Sequence, residues 1–342
     1  MPTSTLSPSQ PVVALLMPQP RRNDVFAAEA LDHLHSFASV IMPGGDSHLL
    51  GEQLPEILPR VDACLTGWGA PPFSPELLAQ SSRLKIIAHS AGSIKALIPP
   101  VAFEQGIVVC HAAEIIAEAV AECALLLMLT GLRRLHLLDR ALKAGRSWQD
   151  ASRIYAGHQL AGRTVGLVGC GKVARQLIRL LQPFGVTILV YDPYLSPDDA
   201  ARLGVTVAPL EQVLADSAIV SNHAPITPAT RHLIGATELS LLADNALFIN
   251  TARAWTVDED ALLRELQSGR LWAALDVFEE EPLPQISPFR QLENVFLTPH
   301  KAGETMETYR KQGMAMVEEV ERFFKGEPLK YRVPRDAYAI MA

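Results

Sequence analysis

The run Thr164-Val165-Gly166-Leu167-Val168-Gly169-Cys170-Gly171-Lys172-Val173-Ala174 constrains this chain more than any other feature. Its apolar first half, ending at Val168, predicts a buried strand. Gly169 and Gly171 let the backbone turn tightly and approach an anion, and a helix starting near Lys172 offers that anion the positive end of its dipole. Ala174 holds the third small position, where only helix–strand packing is demanded. The helix Ala174–Leu181 and a turn at Pro183 and Gly185 lead to a second apolar strand, Ile188-Leu189-Val190-Tyr191, which ends on Asp192. A carboxylate at that spacing is placed to accept the hydroxyls of an adenosine ribose. Closely spaced glycines alone usually mark a tight turn, but strand, glycines, helix, strand and terminal acid in register specify a dinucleotide site. The acid repels a 2′-phosphate and Pro193-Tyr194 supply no arginine to neutralise one, so NAD is expected in preference to NADP.

At 342 residues the chain exceeds a single typical core, which predicts two domains. A hydrophobic content of 49% with 20% charged residues suits a globular α/β protein. The net charge of −7 and the lack of a basic cluster argue against nucleic acid or an anionic membrane as partner. Cys64, Cys110, Cys123 and Cys170 show no metal or redox spacing, and three of them lie in apolar runs; free buried thiols in a reducing cytoplasm are expected, with no metal site. Met1–Gln10, rich in Ser, Thr and Pro, lacks the basic and apolar regions of a signal peptide and reads as a short disordered tail. The apolar run Cys123–Leu132, bounded by Glu122 and Arg133, is too short to span a bilayer.

Before the glycine motif, strand candidates Val12–Met17, Ser39–Met42, Ala63–Thr66, Lys85–Ala88 and Gly106–Cys110 alternate with helical stretches around Asp24–Ser36 and Pro75–Gln80, the pattern of a small α/β domain. A long helix, Glu114–Leu138, follows, with Glu114, Glu118 and Glu122 along one edge and an apolar face opposite. A polar stretch, Lys143–Gly162, leads into the motif. After Asp192, strands are expected near Thr206–Val207, Ala218–Ser221, Leu247–Asn250, Ala273–Leu275 and Val295–Leu297, and a last amphipathic helix near Thr305–Lys325.

Three ionisable residues fall just past the carboxyl ends of predicted strands, where doubly wound sheets collect their active-site groups: Arg253, Glu281 and His300. A guanidinium can hold a substrate carboxylate in two-pronged fashion and polarise an adjacent ketone. Histidine titrates near neutrality and can exchange a proton with the alkoxide, while a carboxylate beside it orients the ring. Taken singly, each has a plain explanation as a surface arginine, a solvated acidic run Glu279-Glu280-Glu281, or a helix-capping histidine. Their joint placement carries the argument.

With these residues in view, the chain resembles the D-isomer-specific 2-hydroxyacid dehydrogenases. The resemblance rests on Thr164–Ala174, Tyr191-Asp192-Pro193, His223–Ile234, Asn250-Thr251-Ala252-Arg253, Ala274–Leu283 and Thr298-Pro299-His300-Lys301-Ala302-Gly303. It implies two doubly wound, Rossmann-like or flavodoxin-like α/β domains with a cleft between them: residues 1–113 with 302–342 for substrate, and 114–301 for NAD. It implies Arg253 as the substrate-binding catalytic arginine, His300 as general acid/base, and Glu281 as its partner. It further implies that Asp276 meets the nicotinamide carboxamide and that Lys172, Val173, Thr251 and Ala252 contact the cofactor. The substrate carboxylate would be met by the loop Ala91-Gly92-Ser93, with Lys95 where the family usually carries an acid. Lys301, Ala254 and Trp255 are further departures near the site. A small 2-hydroxy or 2-keto acid is the expected substrate; Lys95, with Lys301, either favours one bearing a second acidic group or is a local feature, Lys95 pairing with an acid elsewhere or facing solvent and Lys301 serving as packing or exposed charge. The Glu114–Leu138 helix and the Lys143–Gly162 segment are expected to form a homodimer interface. Two alternatives share the fold: a non-catalytic NAD(H)-sensing regulator, and a formate- or phosphite-type dehydrogenase.

Overall fold

The computed structural model describes residues 10–154, 156–339 and 341. The expected N-terminal tail, apart from Gln10, lies outside the described residues. The chain divides into two compact units, one reaching Ile116 and resuming at Glu304, the other spanning Ala117–Gly303. Their limits fall at 116/117 and 303/304, against the expected 113/114 and 301/302.

In the first unit, β1 (Val12–Leu16), β2 (Ser39–Ile41), β3 (Ala63–Thr66), β4 (Ile86–His89) and β5 (Val108–His111) form an all-parallel sheet in the order β2-β1-β3-β4-β5. β1, β3 and β4 are nearly continuous apolar runs because helices cover both faces of a parallel sheet. The returning helix Met306–Lys325 starts at Thr305, whose side chain accepts from Thr308 N–H, and buries Met316, Val317 and Val320 in the same cluster as Val13, Leu65 and Ala88. Its fully buried Glu319 accepts from the N–H groups of Lys330 and Tyr331 and pairs with Arg322, which fastens the C-terminal chain to this unit.

The second unit holds β6 (Thr164–Val168), β7 (Thr187–Tyr191), β8 (Thr206–Val207), β9 (Ile219–Asn222), β10 (Leu247–Asn250), β11 (Trp272–Leu275) and β12 (Val295–Leu297). All are parallel, in the order β12-β11-β10-β9-β6-β7-β8. The order reverses between β6 and β9, whose register runs from Val165 opposite Ile219 to Val168 opposite Asn222. Chains that leave neighbouring strands in opposite directions open a crevice at their carboxyl ends, and ligands of such sheets bind there.

The structure corrects several helix expectations. The Glu114–Leu138 helix is two helices, Ala113–Arg133 and Leu135–Lys143, separated by Arg134 in the left-handed region at φ +52°. The break is held by burial of that arginine: its guanidinium donates to Gly131 O at 2.8 Å and lies 3.3 Å from the centre of the Trp272 ring. Asp24–Ser36 likewise divides into Arg21–Val25 and Ala28–Phe37, and the polar stretch 143–162 contains a helix, Trp148–Ile154. Ser47–Ile57 is helical despite Gly51 and Pro55, with Asp46 capping it by accepting from Leu49 N–H. By length and composition, Ala113–Arg133 could cross a membrane, which the ten-residue run Cys123–Leu132 could not. However, 56% of its most apolar stretch is buried inside the fold.

Candidate active site

The glycine motif forms as its residues require. Gly169 sits at φ +97°, and a Cβ there would lie 2.8 Å from His223 O, so the turn between β6 and the next helix passes against the end of β9 with no room for a side chain. A Cβ on Gly171 would meet nothing within 4 Å. That open space faces the first turn of Lys172–Leu181, which no side chain caps. Asp192, just past β7, accepts from Cys170 N–H at 2.7 Å and Tyr194 N–H at 2.8 Å, which fixes its carboxylate beside the glycine turn. Two buried polar atoms at adjacent strand ends, Thr251 Oγ1 past β10 and His223 Nε2 past β9, have no hydrogen-bond partner among the described residues. Burial lowers the His223 imidazole to about 4, so the ring is neutral. A buried polar atom with no partner in the chain calls for one from outside it, an ordered water or a ligand. An uncapped helix start, a side-chain-free space, a fixed carboxylate and two orphan polar atoms fit a bound dinucleotide.

Arg253 follows β10 on a turn held from within. Asn222 Nδ2 donates to Asn250 Oδ1 at 3.2 Å and Thr256 Oγ1 at 2.6 Å, Asn250 Nδ2 and Thr256 Oγ1 both donate to Arg253 O, and Asn250 Oδ1 accepts from Ala252 N–H. Asn222, Asn250 and Thr256 are buried, so the turn is fixed while its guanidinium remains half-buried. Burial pushes the Arg253 guanidinium down from its ordinary value, and the charge of Glu281 partly offsets this.

Glu281 and His300 meet directly, Oε2 to Nδ1 at 2.7 Å, with the histidine side chain 48% exposed. Glu281 is oriented in turn by Phe278 N–H, which donates to its Oε1 at 3.0 Å. His300 stands at φ +52°, and Asp276 secures that turn. Asp276 is fully buried; its Oδ1 accepts from Thr298 Oγ1 at 2.5 Å and Lys301 N–H at 2.8 Å, its Oδ2 accepts from Ala302 N–H at 2.9 Å, and its backbone O accepts from His300 N–H at 2.8 Å. The residue expected to meet a carboxamide thus has both carboxylate oxygens bonded to the His300 turn.

Arg253, Glu281 and His300, together with Gly169, Gly171, Lys172, Val173, Asp192, Thr251, Ala252 and Asp276, belong to the second unit; Ala91, Gly92, Ser93 and Lys95 belong to the first. There, past β4, His111 Nδ1 bonds Gly92 O at 2.8 Å, and His89, bonded to Thr66 Oγ1, is neutral because burial lowers it to about 3. Burial also lowers the half-buried Lys95 ammonium. Sequence reasoning missed the paired Asn222 and Asn250, His223, and the anchoring role of Asp276. The available signal was a polar residue closing each apolar strand.

Known proteins resemble this chain in sequence and fold. Residues 125–302 match the family described as D-isomer specific 2-hydroxyacid dehydrogenase, NAD binding domain. Glyoxylate reductase of Korarchaeum cryptofilum is 34% identical over 79% of this chain and 83% of its own length. D-3-phosphoglycerate dehydrogenase of Methanocaldococcus jannaschii is also 34% identical, over 74% of this chain, which spans about half (48%) of that enzyme. The crystal structure of a glyoxylate reductase from Paecilomyes thermophila superposes with a TM-score of 0.82 at 27% identity, covering 96% of this chain and 100% of that one. The chain therefore belongs to the D-isomer-specific 2-hydroxyacid dehydrogenase family.

Proposed function

We propose that the protein is an NAD-dependent dehydrogenase that interconverts a D-2-hydroxy acid and its 2-keto acid. The observation that carries this reading is the Glu281–His300 contact at 2.7 Å on a turn anchored by buried Asp276, in the same unit as Arg253. When bound, NAD(H) supplies or removes the hydride. Arg253 holds the substrate carboxylate and polarises the carbonyl oxygen. Glu281 takes the Nδ1 proton of His300 in a hydrogen bond, which leaves Nε2 to deliver a proton to that oxygen in reduction and to withdraw it in oxidation.

The relatives reduce glyoxylate or oxidise phosphoglycerate by name, so the substrate class is a short 2-keto acid with or without a distal acidic group. The test is NADH oxidation by the purified chain with glyoxylate, pyruvate and 3-phosphohydroxypyruvate. Turnover with any of them supports the reading, and tight NADH binding without turnover overturns it. We further propose that the chain works in the cytoplasm, in keeping with four free cysteines, and as a homodimer. Leu126, Leu135, Leu142 and Trp148, on three successive helices, are 60%, 56%, 46% and 74% exposed, apolar side chains suited to contact a second copy. A monomer in light scattering at micromolar concentration would refute the dimer.

A further inference from the structure

Glu259 lies outside every motif used so far. It opens the helix Glu259–Gln267, half-buried, and its Oε1 accepts from Glu279 N–H at 2.8 Å. Glu279 directly follows Phe278, whose own N–H orients Glu281, and Glu281 bonds His300. A short chain of contacts therefore runs from Glu259 through residues 278–281 to the His300 ring.

We propose that Glu259 is a positioning residue for the acid–base pair, whose carboxyl holds the 278–281 loop in register and whose charge is felt at His300 through Glu281. This rests on the reading of Glu281 and His300 as that pair. Glu259 faces the carboxylates of Glu279, Asp260 and Glu281; Glu279 is paired with His232 at 3.5 Å, and Glu281 with His300. Asp258, which precedes Glu259, caps the helix by accepting from Ala261 N–H. Burial, reinforced by Glu279, Asp260 and Glu281 and opposed by the Glu279 N–H, pushes the Glu259 carboxyl up to about 7. Near neutral pH it is therefore divided between a neutral and an anionic form. The anionic form adds negative charge beside Glu281, the carboxylate that bonds the His300 ring.

The experiment compares Glu259→Gln with Glu259→Ala in the full chain. Glutamine keeps an oxygen for Glu279 N–H and removes the charge; alanine removes both. In Glu259→Gln, the His300 ring signal followed by NMR, assigned with a His300→Gln control, should titrate lower than in the native protein by about half a pH unit, and the alkaline limb of keto-acid reduction should move with it. At its optimum pH this variant should retain turnover within about threefold, whereas Glu259→Ala should lose about tenfold in kcat with little change in KM for NADH, as displacement of a catalytic group predicts. A His300 titration in Glu259→Gln that coincides with the native one, or native kcat in Glu259→Ala, overturns the proposal. An active enzyme with an unshifted titration refutes the role of Glu259 alone. A shifted titration in a protein that reduces no keto acid refutes the functional reading and supports the coupling.

Discussion

Replacing Asp276 with asparagine should loosen the turn that carries His300 before any cofactor or substrate binds. In the native chain Oδ1 accepts from Thr298 Oγ1 and Lys301 N–H, and Oδ2 from Ala302 N–H, all inside a residue with no exposed surface. An asparagine that keeps its oxygen toward Thr298 and Lys301 turns an NH₂ group toward Ala302 N–H. One bond is lost, two donors face each other, and the two surviving bonds lose their ionic character. Hydrogen bonds to charged groups contribute about 1.5–3 kcal/mol, and a buried donor without an acceptor costs about 1–3 kcal/mol, so the loss is roughly 3–5 kcal/mol. For a unit of this size that lowers Tm by roughly 10 °C, which calorimetry of the cofactor-free protein would read. Turnover should fall by about tenfold or more, because a displaced general acid cannot reach its proton acceptor. If Asp276 acted only by touching the nicotinamide, the variant would melt like the native protein without cofactor and would merely bind NADH less tightly. That pattern would refute the anchoring argument.

Four further outcomes are expected. His300→Ala should leave NADH binding nearly intact and lower turnover by about 10²–10⁴-fold, with a smaller loss in Glu281→Gln; near-normal turnover of the alanine variant across pH would remove His300 from the mechanism. Asp192→Ala should lower kcat/KM with NADH more than with NADPH, since it removes both a ribose acceptor and a repulsive charge, and an unchanged cofactor preference would count against Asp192. The Glu259 carboxyl is raised in the native state to about 7 from an ordinary 4.5, so the stability it contributes is fully present below about pH 4.5 and is lost as pH rises to about 7, by at most about 3 kcal/mol; Glu259→Gln should flatten that part of the Tm profile, and an unchanged slope would disprove the assignment. Lys95→Ala should weaken kcat/KM for 3-phosphohydroxypyruvate more than for pyruvate, and equal losses on both would deny Lys95 a selective role.

The legible parts of this protein are those in which one strand, read alone, dictates the outcome. An apolar run such as Leu247–Ile249 must be a buried strand, and in an all-parallel sheet every such run ends at the same edge, so the polar residues that follow the strands gather there whatever the intervening helices do. The placement of Arg253, Glu281 and His300 just past strand ends was therefore legible without a structure. What could not be named was which polar groups act and which hold the others in place, because that depends on partners distant in sequence. The helix breaks at Arg134, whose guanidinium stands over the Trp272 indole, a contact that no local signal carries. Asp276 and Asn250 each close a strand as plausibly as Thr251 does, yet Asp276 reaches across to residues 298–302 and Asn250 is matched to Asn222, while Thr251 keeps an orphan hydroxyl. The division has a physical basis. A group that must meet a ligand keeps some donor or acceptor capacity free, whereas a group that fixes geometry is more fully bonded by the protein. Within this unit the saturated residues Asn222, Asn250 and Asp276 lie one step behind Arg253 and His300, whose side chains retain exposed surface. Polar satisfaction, more than residue type, separates the proposed reacting groups from the residues that hold them.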